Sequence, residues 1–344
     1  MKKLKAKISF TTPCISSGAD QKKAEIRAQS IRGALHFWFR ALGGSLPEEQ
    51  AIFGRIGKKS ETRRSSLNVR VLASDNLETS VKDCAGIAGS DFDYFLWPLR
   101  SKKHSPGAAS RGIIKAGESF DLLLSHIRID EAYKTLPEEV LKTWLLLGSL
   151  GSRSRRCYGS IWPEKMTIDK EDWDVPKTKL ELELELLDLL ENKPISVRIW
   201  GSASTWKDAV KLAQKPLKNM RCGSPKSGTP SSWGKNDHDI PLNNKSGESV
   251  FRQALGLPLL QRYSNKRGTY SSSINGNDRW ASPLHLKIVP LENKYYVLAI
   301  YFHDYVLSDG ENVLIKGNGI RKNAVLSLDL WEEILQEGDR FSGT

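Results

Sequence analysis

The sequence predicts an α+β fold that begins with a ferredoxin-like (RRM-like) unit of the order β-α-β-β-α-β, with inserted hairpins and loops. Strand-like and helix-like periodicities follow one another in that order in the first half. The second half mixes helices with a small sheet, which is compatible with a repeat of the same topology. At 344 residues the chain exceeds the roughly 250–300 residues at which one hydrophobic core stops growing. We place two domains at residues 1–170 and 171–344, because the acidic segment 169–176 is broken by proline.

The first half supplies the elements of the first unit. Residues 4–10 alternate apolar and polar side chains, the period of a half-buried strand. A helix is predicted at 31–42, with Ser30 as its N-cap. One face of this helix is apolar, and Arg32, His36 and Arg40, spaced by four, form a separate cationic face. The remaining predicted elements are strands at 67–73 and 119–129, a helix at 137–147 with Pro137 in its first position, a Gly-rich loop at 148–159 and a strand at 160–168.

The second half has weaker patterns. Residues 221–250 are rich in Gly, Pro, Ser and Asn and contain few apolar side chains, so we expect an insertion that is mobile or is ordered only by a partner. Elsewhere the periodicities predict helices at 180–190, 205–217 and 325–336, a strand at 195–200, and a hairpin whose strands are 284–289 and 295–302.

The net charge of +12 is concentrated in blocks. Residues 1–70 carry 15 basic and 5 acidic side chains, and residues 201–300 carry 15 basic and 6 acidic ones. Clustered Lys and Arg favour a polyanionic partner, although a solvated basic surface would give the same counts. No apolar run is long enough to span a membrane, and the four cysteines (Cys14, Cys84, Cys157 and Cys222) show neither disulfide nor zinc spacing. We therefore expect a soluble, cytoplasmic protein without a metal or cofactor.

The Gly-rich loop has the composition of a backbone-binding segment. Its sequence is Gly148-Ser-Leu-Gly-Ser-Arg-Ser-Arg-Arg-Cys-Tyr-Gly159. Glycines permit a ligand to approach the main chain closely, Arg supplies forked donors, Ser supplies hydroxyls and Tyr can stack on a base. The candidate contacts are Gly148, Gly151, Arg153, Ser154, Arg155, Arg156, Tyr158 and Gly159. The pattern predicts contact with a phosphodiester backbone irrespective of base sequence, whereas a surface turn with incidental arginines is the alternative.

Several motifs resemble the RAMP superfamily of CRISPR systems, and within it the first-numbered subunit of the type III-B (Cmr) effector complexes. The family pattern begins with Thr-Pro, which is matched at 12–13, and continues with Gly-Ala-Asp, which is matched at 18–20. A long segment that contains Arg-x-x-Ser-Ile-Arg-Gly-Ala-Leu follows, and it is matched at 27–42. The family's glycine-rich loop is matched at 148–160, and Arg279-Trp-Ala-Ser-Pro-Leu284 is similar to its second-half signature. The departures are His36 for Arg, Phe39 for Trp and Cys157-Tyr158 for Gly-Phe.

The resemblance implies two tandem ferredoxin-like domains and a non-catalytic, RNA-binding subunit of an antiviral effector complex. It implies contact with the 3′ end of the guide RNA, with the target RNA, or with both, and with other protein subunits of the complex. Residues before and on the first helix are expected RNA contacts in addition to those of the loop. One residue of the second-half signature is expected to be a further contact. The residues added in this way are Arg27, Ser30, Arg32, His36, Arg40 and Arg279. Phe37 and Trp38 are expected to pack rather than to stack on bases.

Of four other functions, the residues argue against two and leave two open. A metal-independent endoribonuclease that uses His36 is the main alternative, since relatives that process guide precursors can cut RNA with a histidine. A metal-dependent nuclease lacks a carboxylate set near either motif. The segment 54–60 suggests a nucleotide-binding loop, but its glycines are too close together and a second lysine separates Lys58 from Ser60. A scaffold that docks acidic proteins would show the same positive charge.

Overall fold

The computed structural model describes residues 3–58, 62–73, 79–82, 94–99, 111–126, 135–222, 232–242, 247–257, 260–263 and 268–340. In the first half the helices are α1 (Ala28–Ala41), α2 (Leu46–Phe53) and α3 (Glu138–Leu147). The strands there are β1 (Lys3–Phe10), β2 (Cys14–Ile15), β3 (Leu67–Ala73), β4 (Thr79–Lys82), β5 (Arg111–Ile114), β6 (Ser119–His126), β7 (Ile161–Ile168) and β8 (Glu171–Trp173). A 3-10 helix spans Tyr94–Leu99.

In the second half the helices are α4 (Lys179–Leu189), α5 (Trp206–Cys222), α6 (Ser232–Leu242) and α7 (Asp329–Leu335). The strands are β9 (Ile195–Ala203), β10 (Ser249–Val250), β11 (Leu260–Tyr263), β12 (Gly268–Ile274), β13 (Leu284–Leu291), β14 (Lys294–Phe302), β15 (Asn312–Gly317), β16 (Ile320–Leu326) and β17 (Asp339–Arg340). Short 3-10 helices lie at Arg252–Leu255 and His303–Tyr305.

The fold is mixed α+β, with several antiparallel sheets. One sheet has the strand order β3-β6-β1-β7-β8, and another has the order β13-β14-β9-β17. Four strands of the first sheet and two helices follow one another along the chain as β-α-β-β-α-β, in the order β1, α1, β3, β6, α3 and β7. The strands of the second sheet do the same with α5 and α7. The insertions form two further sheets, ordered β10-β16-β15-β12-β11 and β2-β5-β4.

Alternation of side chains explains the first sheet. In β1 the residues Leu4, Ala6, Ile8 and Phe10 are buried, whereas Lys3, Lys5 and Lys7 are exposed. Each strand of a sheet presents alternate side chains to opposite faces, so one face of this sheet is apolar and the other carries lysines. The helices α1 and α3 contact each other and the flanking strands β3 and β7 respectively. The predicted strands and the predicted α4 helix are confirmed, with small shifts at several ends; residues 127–129 of the strand predicted at 119–129 lie outside the described residues.

The beginning of α1 differs from the prediction. The helix starts at Ala28, its N-cap is Arg27 in an extended conformation, and no side chain caps it. Ser30 was predicted as the N-cap, but its backbone N–H already donates to the Arg27 carbonyl at 3.0 Å. Ser30 therefore lies inside the first turn, because the helix already begins at Ala28. The predicted apolar stripe of the helix is confirmed, with Ile31, Leu35, Trp38 and Leu42 all buried.

Two second-half predictions also need correction or completion. The terminal helix begins at Asp329 and not at Val325, because Val325 and Leu326 belong to β16 and pair with its neighbours. Within the segment 221–250, which was expected to be mobile or partner-ordered, the structure describes α6 and the short strand β10. Its residues 223–231 and 243–246 lie outside the described residues. At the predicted domain boundary, β8 pairs with β7, so the first sheet continues to Trp173.

Two hydrophobic clusters form the core, and both draw on the two halves of the chain. One joins Leu35 and Trp144 to Val289 and Leu298, and the other joins Tyr158 to strands of the second half. Cys14 and Cys157 are both buried. Among the residues that the structure describes, no helix is long and apolar enough to cross a membrane. The predicted division at residue 170 remains a prediction.

Candidate nucleic-acid interface

A cavity of about 520 Å³ opens where α1, the Gly-rich loop and β13 meet. Both halves of the chain contribute to its wall. The lining residues are Ile15, Ser16, Ser17, Gln21, Arg27, Ser30, Ala34, Phe37, Trp38, Arg111, Leu147–Leu150, Gly151, Ser152, Ser154, Arg155, His285 and Leu286. The volume lies within the range of about 300–1,000 Å³ that is typical of ligand sites.

The Gly-rich loop (residues 148–160) is held on both sides by backbone hydrogen bonds. On one side, the amide of Ser152 donates to the Ile15 carbonyl at 2.8 Å, and that of Gly159 donates to the Pro13 carbonyl at 2.9 Å. On the other side, the Cys157 amide donates to the Leu286 carbonyl of β13 at 2.9 Å, and the Leu286 amide donates to the Arg155 carbonyl at 3.2 Å. The second half of the chain therefore fixes the direction in which the loop arginines point.

Several loop residues have unusual backbone conformations. Gly151 and Gly159 have φ angles of +80° and +64°, and Arg153 and Cys157 reach +64° and +68° without being glycines. Such left-handed conformations are costly for residues with a Cβ and tend to occur where a site needs a particular geometry. At Gly159 a Cβ would lie 1.8 Å from the Leu150 carbonyl oxygen, so this glycine is required by packing as well as by φ.

Three arginines from separate segments line the cavity. Arg27 is the N-cap of α1, Arg111 lies on β5 and Arg155 lies in the Gly-rich loop. Among the described residues that line the cavity, none is Asp or Glu, whereas the nearby Glu25 carboxylate pairs with the Arg27 Nε at 3.8 Å. Burial lowers the pKa of the Arg155 guanidinium from its usual value. Concentrated guanidinium groups without a carboxylate in the lining make a wall that attracts anions.

The other polar groups of the cavity are uncharged. They are the hydroxyls of Ser16, Ser17, Ser30, Ser149, Ser152 and Ser154 and the amide of Gln21. The N-terminal half of α1 also faces the cavity, since its N-cap Arg27 and the helical residues Ser30 and Ala34 line it. The N-terminus of a helix presents free N–H groups and the positive end of the helix dipole, which favour an anion.

Aromatic rings form one wall of the cavity. Phe37 on α1 stacks against His285 on β13, with ring centroids 5.4 Å apart and planes inclined by 22°. The guanidinium carbon of Arg155 lies 6.0 Å from the centre of the Phe37 ring. Burial and the neighbouring Arg155 hold the pKa of His285 well below its ordinary range, so its imidazole is neutral at physiological pH. The expectation that Phe37 packs is consistent with its contacts, because Trp38 and Phe302 also touch its ring.

The predicted cationic face of α1 lies outside the cavity. Arg32 donates to the carbonyl oxygens of Phe53 and Leu67, and burial lowers the pKa of its guanidinium. The Nδ1 atom of His36 is 2.6 Å from the Glu49 carboxylate, and the Arg40 Nε is 3.3 Å from the same oxygen. This face is therefore engaged with α2 and with the segment that leads into β3.

The remaining predicted contacts separate into buried and exposed residues. Arg156 is buried and donates to the Leu284 carbonyl at 2.7 Å; burial lowers its pKa to about 9, a value at which it stays charged at neutral pH. Tyr158 is fully buried, and the Nε of Arg153 donates to the Phe95 carbonyl at 2.6 Å. Arg279 is exposed and does not line the cavity. The predicted residues that the cavity does bring together are Arg27, Ser30, Gly148, Gly151, Ser154 and Arg155.

Several lining residues were not predicted from the sequence, among them Arg111, Gln21 and His285. Arg111 is a single arginine at the start of the short strand β5, Gln21 lies in a polar loop, and His285 alternates with leucines in a strand. None of them lies in a recognisable motif. The only signal is their local charge or polarity, which many surface residues share. Within the described residues, no cluster of His, Cys, Asp and Glu is placed to hold a metal ion.

Comparisons with known proteins find sequence similarity in the first half of the chain and similarity of fold over most of it. A family model described as the RAMP superfamily matches residues 7–162. The CRISPR system Cmr subunit Cmr1-2 of Pyrococcus furiosus is 31% identical over 166 residues, which cover 44% of this chain and 89% of that protein. The crystal structure of apo Cmr1 from Pyrococcus furiosus superposes with a TM-score of 0.52 at 17% identity, covering 90% of this chain and 89% of that one. A chain of the cryo-EM structure of the type III-B Cmr-beta complex with cognate target RNA gives a TM-score of 0.49 at 12% identity, covering 96% and 97%.

Proposed function

The chain belongs to the RAMP superfamily and is homologous to Cmr1 subunits. We propose that it is a non-catalytic, RNA-binding subunit of a type III-B CRISPR effector complex. Its ligand is the backbone of the guide RNA near the 3′ end, of the target RNA, or of both. We also infer that its two β-α-β-β-α-β sheets are tandem ferredoxin-like units, which the matching strand orders support.

The observation that carries the proposal is the three-arginine wall without carboxylates. Arg27, Arg111 and Arg155 come from separate segments, yet all of them line one cavity. Each phosphate of an RNA strand carries one negative charge, and guanidinium groups bind phosphate oxygens through two parallel hydrogen bonds. The three guanidinium groups therefore suit an RNA strand that passes through the cavity and presents several phosphates to them.

The chemistry of the cavity favours little base selectivity. Its donors are guanidinium and hydroxyl groups, which contact phosphate and ribose, and contacts to the backbone carry no sequence information. Ser30 lies in the first turn of α1, where the helix dipole adds to the attraction for a phosphate. A subunit that accepts guides of varying sequence needs this kind of site.

The proposal predicts that cavity arginines dominate RNA affinity. Replacing Arg27, Arg111 and Arg155 together by alanine should weaken binding of a single-stranded RNA at least tenfold. Loss of about three phosphate contacts should also make the plot of log K against log salt shallower by about 2, since each contact contributes about 0.7 for single strands. The measurement is a fluorescence-anisotropy titration at several salt concentrations, with RNAs of unrelated sequence.

Arg70→Ala is the matched control, because Arg70 is exposed on β3 and does not line the cavity. It should leave affinity within about twofold of wild type. Arg279→Ala tests the predicted contact outside the cavity. Unchanged affinity in the triple variant, or strong preference for one short RNA motif, would refute the proposal.

The endoribonuclease alternative depends on His36. That residue lies outside the cavity, and its Nδ1 is paired with the Glu49 carboxylate. Such a pair orients an imidazole, as it does in general-base catalysis, but it also ties α1 to α2. Cleavage of the RNA in EDTA that disappears in His36→Ala would establish this alternative in place of the non-catalytic function.

A further inference from the structure

The helix α4 is apolar on two opposite faces. Leu182, Leu186 and Leu189 are buried in the core of the protein. On the other side, the side chains of Leu180 and Leu184 are 63% and 59% exposed. A helix at the surface of a globular protein normally carries one apolar stripe and one polar face. The second stripe is therefore not explained by the folding of this chain.

The exposed leucines form a continuous stripe. Leu180 and Leu184 are four residues apart, and half-buried Leu187 follows three residues later. Residues with these spacings lie on one helix face in direct contact. The other strongly exposed large apolar residues among those described are Leu46, Ile56 and Leu72, which lie on or after other elements. We call the surface of Leu180, Leu184 and Leu187 the α4 stripe.

Acidic residues border the α4 stripe. Residues 171–200 contain eight acidic and four basic side chains, a balance of −4 in a chain whose net charge is +12. Three of the four cations are already paired, Lys177 with Asp174 at 3.4 Å, Lys179 with Glu183 at 3.5 Å and Lys193 with Glu139 at 3.7 Å. Two further acids of the segment, Asp172 and Glu185, pair with lysines outside it. Asp188 and Glu191 are exposed beside the stripe. This border repels the phosphates of an RNA and attracts cationic side chains.

We propose that the α4 stripe is the docking surface for another protein subunit, one that presents an apolar ridge bordered by Lys or Arg. This assignment rests on the proposed function, because it takes the partner to be a subunit of the same effector complex. A second copy of this chain fits less well. A two-fold contact would place the stripe against itself and bring the two acidic borders together.

The test is reconstitution of the complex from this chain and the other individually purified type III-B protein subunits of the same organism. Leu180→Gln combined with Leu184→Gln removes the apolar surface and leaves the charge unchanged. We expect the double variant to join the complex at least tenfold more weakly, measured by size-exclusion chromatography and by biolayer interferometry. Its affinity for single-stranded RNA should stay within about twofold of wild type, because the stripe is separate from the cavity.

The matched control is Leu46→Gln combined with Leu72→Gln, which changes the same residue type at 64% and 53% exposure. It should assemble like wild type, and circular dichroism should show that both double variants are folded. In a second arm, Asp188→Asn with Glu191→Gln should weaken assembly and reduce its dependence on salt, because these carboxylates would face cations.

Each other outcome overturns the assignment. Full assembly of the stripe variant, or an equal defect in the control, would show that the stripe is not the docking surface. Loss of a homodimer on the stripe substitutions, seen by sedimentation, would assign the stripe to a second copy instead. If wild type itself joins no subunit while binding RNA, both the assignment and the proposed complex membership fail, and RNA binding alone stands.

Discussion

Neighbouring arginines in the Gly-rich loop have different surroundings. Arg155 lines the cavity, whereas Arg156, one residue later, is buried and donates to a carbonyl of β13. Composition predicted that all the loop arginines would contact the ligand. Arg156 forms a bridge with Leu286 of β13, and its guanidinium donates to the Leu284 carbonyl and the Ser282 hydroxyl. A sequence shows that three donors are present, but not which of them the backbone directs outward.

At this scale, the sharpest prediction concerns Gly159. Gly159→Ala should lower the free energy of unfolding by about 3 kcal/mol or more, because the new Cβ would lie 1.8 Å from the Leu150 carbonyl oxygen. Gly117 also has a positive φ, +93°, but nothing lies within 4 Å of its Cβ position. Gly117→Ala should therefore cost only about 1–2 kcal/mol, the cost of the backbone conformation. Urea titration measures both, and equal losses would contradict the close contact at Gly159.

At the scale of the element, α1 shows how one helix serves two purposes. The face that carries Arg27, Ser30 and Phe37 contributes to the cavity, while the face that carries Arg32 and His36 is bound to neighbouring segments. The spacing of four correctly placed the cations on one face. The predicted cationic face does not line the cavity, because α2 places Glu49 beside it.

The two helices α1 and α2 also give a test of capping. In α2 the Ser45 hydroxyl accepts from the Glu48 amide, and the Glu48 carboxylate reaches back to the Ser45 amide. Ser45→Ala should cost about 1 kcal/mol of stability, the usual effect of losing an N-cap. Ser30 makes no cap, so Ser30→Ala should change stability by less than about 0.5 kcal/mol. Thermal and urea unfolding compare the two variants, and a larger loss in Ser30→Ala would restore it as the cap.

For the whole molecule, the main feature is the contact between the two halves. Strand β13 exchanges hydrogen bonds with the Gly-rich loop, and the Thr11 hydroxyl donates to the Ile288 carbonyl at 2.8 Å. Lys287 of the same strand is buried and its Nζ donates to the Leu145 carbonyl at 2.8 Å. Since polar groups on both sides of this contact satisfy one another, separating the halves would leave them without these partners.

This contact predicts cooperative unfolding. Although the chain is long enough for two domains, both hydrophobic clusters include residues of each half. We expect a single transition in differential scanning calorimetry, with the calorimetric enthalpy equal to the van't Hoff enthalpy. Two resolved transitions would instead support independent domains divided near residue 170. Near-UV circular dichroism should follow the same curve, because the tryptophans lie in both halves.

Local sequence was sufficient to predict the helices and strands, and it led to the proposal of an RNA partner. Alternation in β1, the apolar stripe of α1 and the composition of the Gly-rich loop depend on residues close together in the chain, so local periodicity and backbone preference were sufficient. The cavity, in contrast, depends on long-range contacts. Arg27, Arg111, Arg155 and His285 are far apart along the chain, and they meet because β13 pairs with the Gly-rich loop. Long-range pairing of this kind leaves no periodic trace in the sequence, and for the same reason the second apolar face of α4 was recognised only when its burial was known.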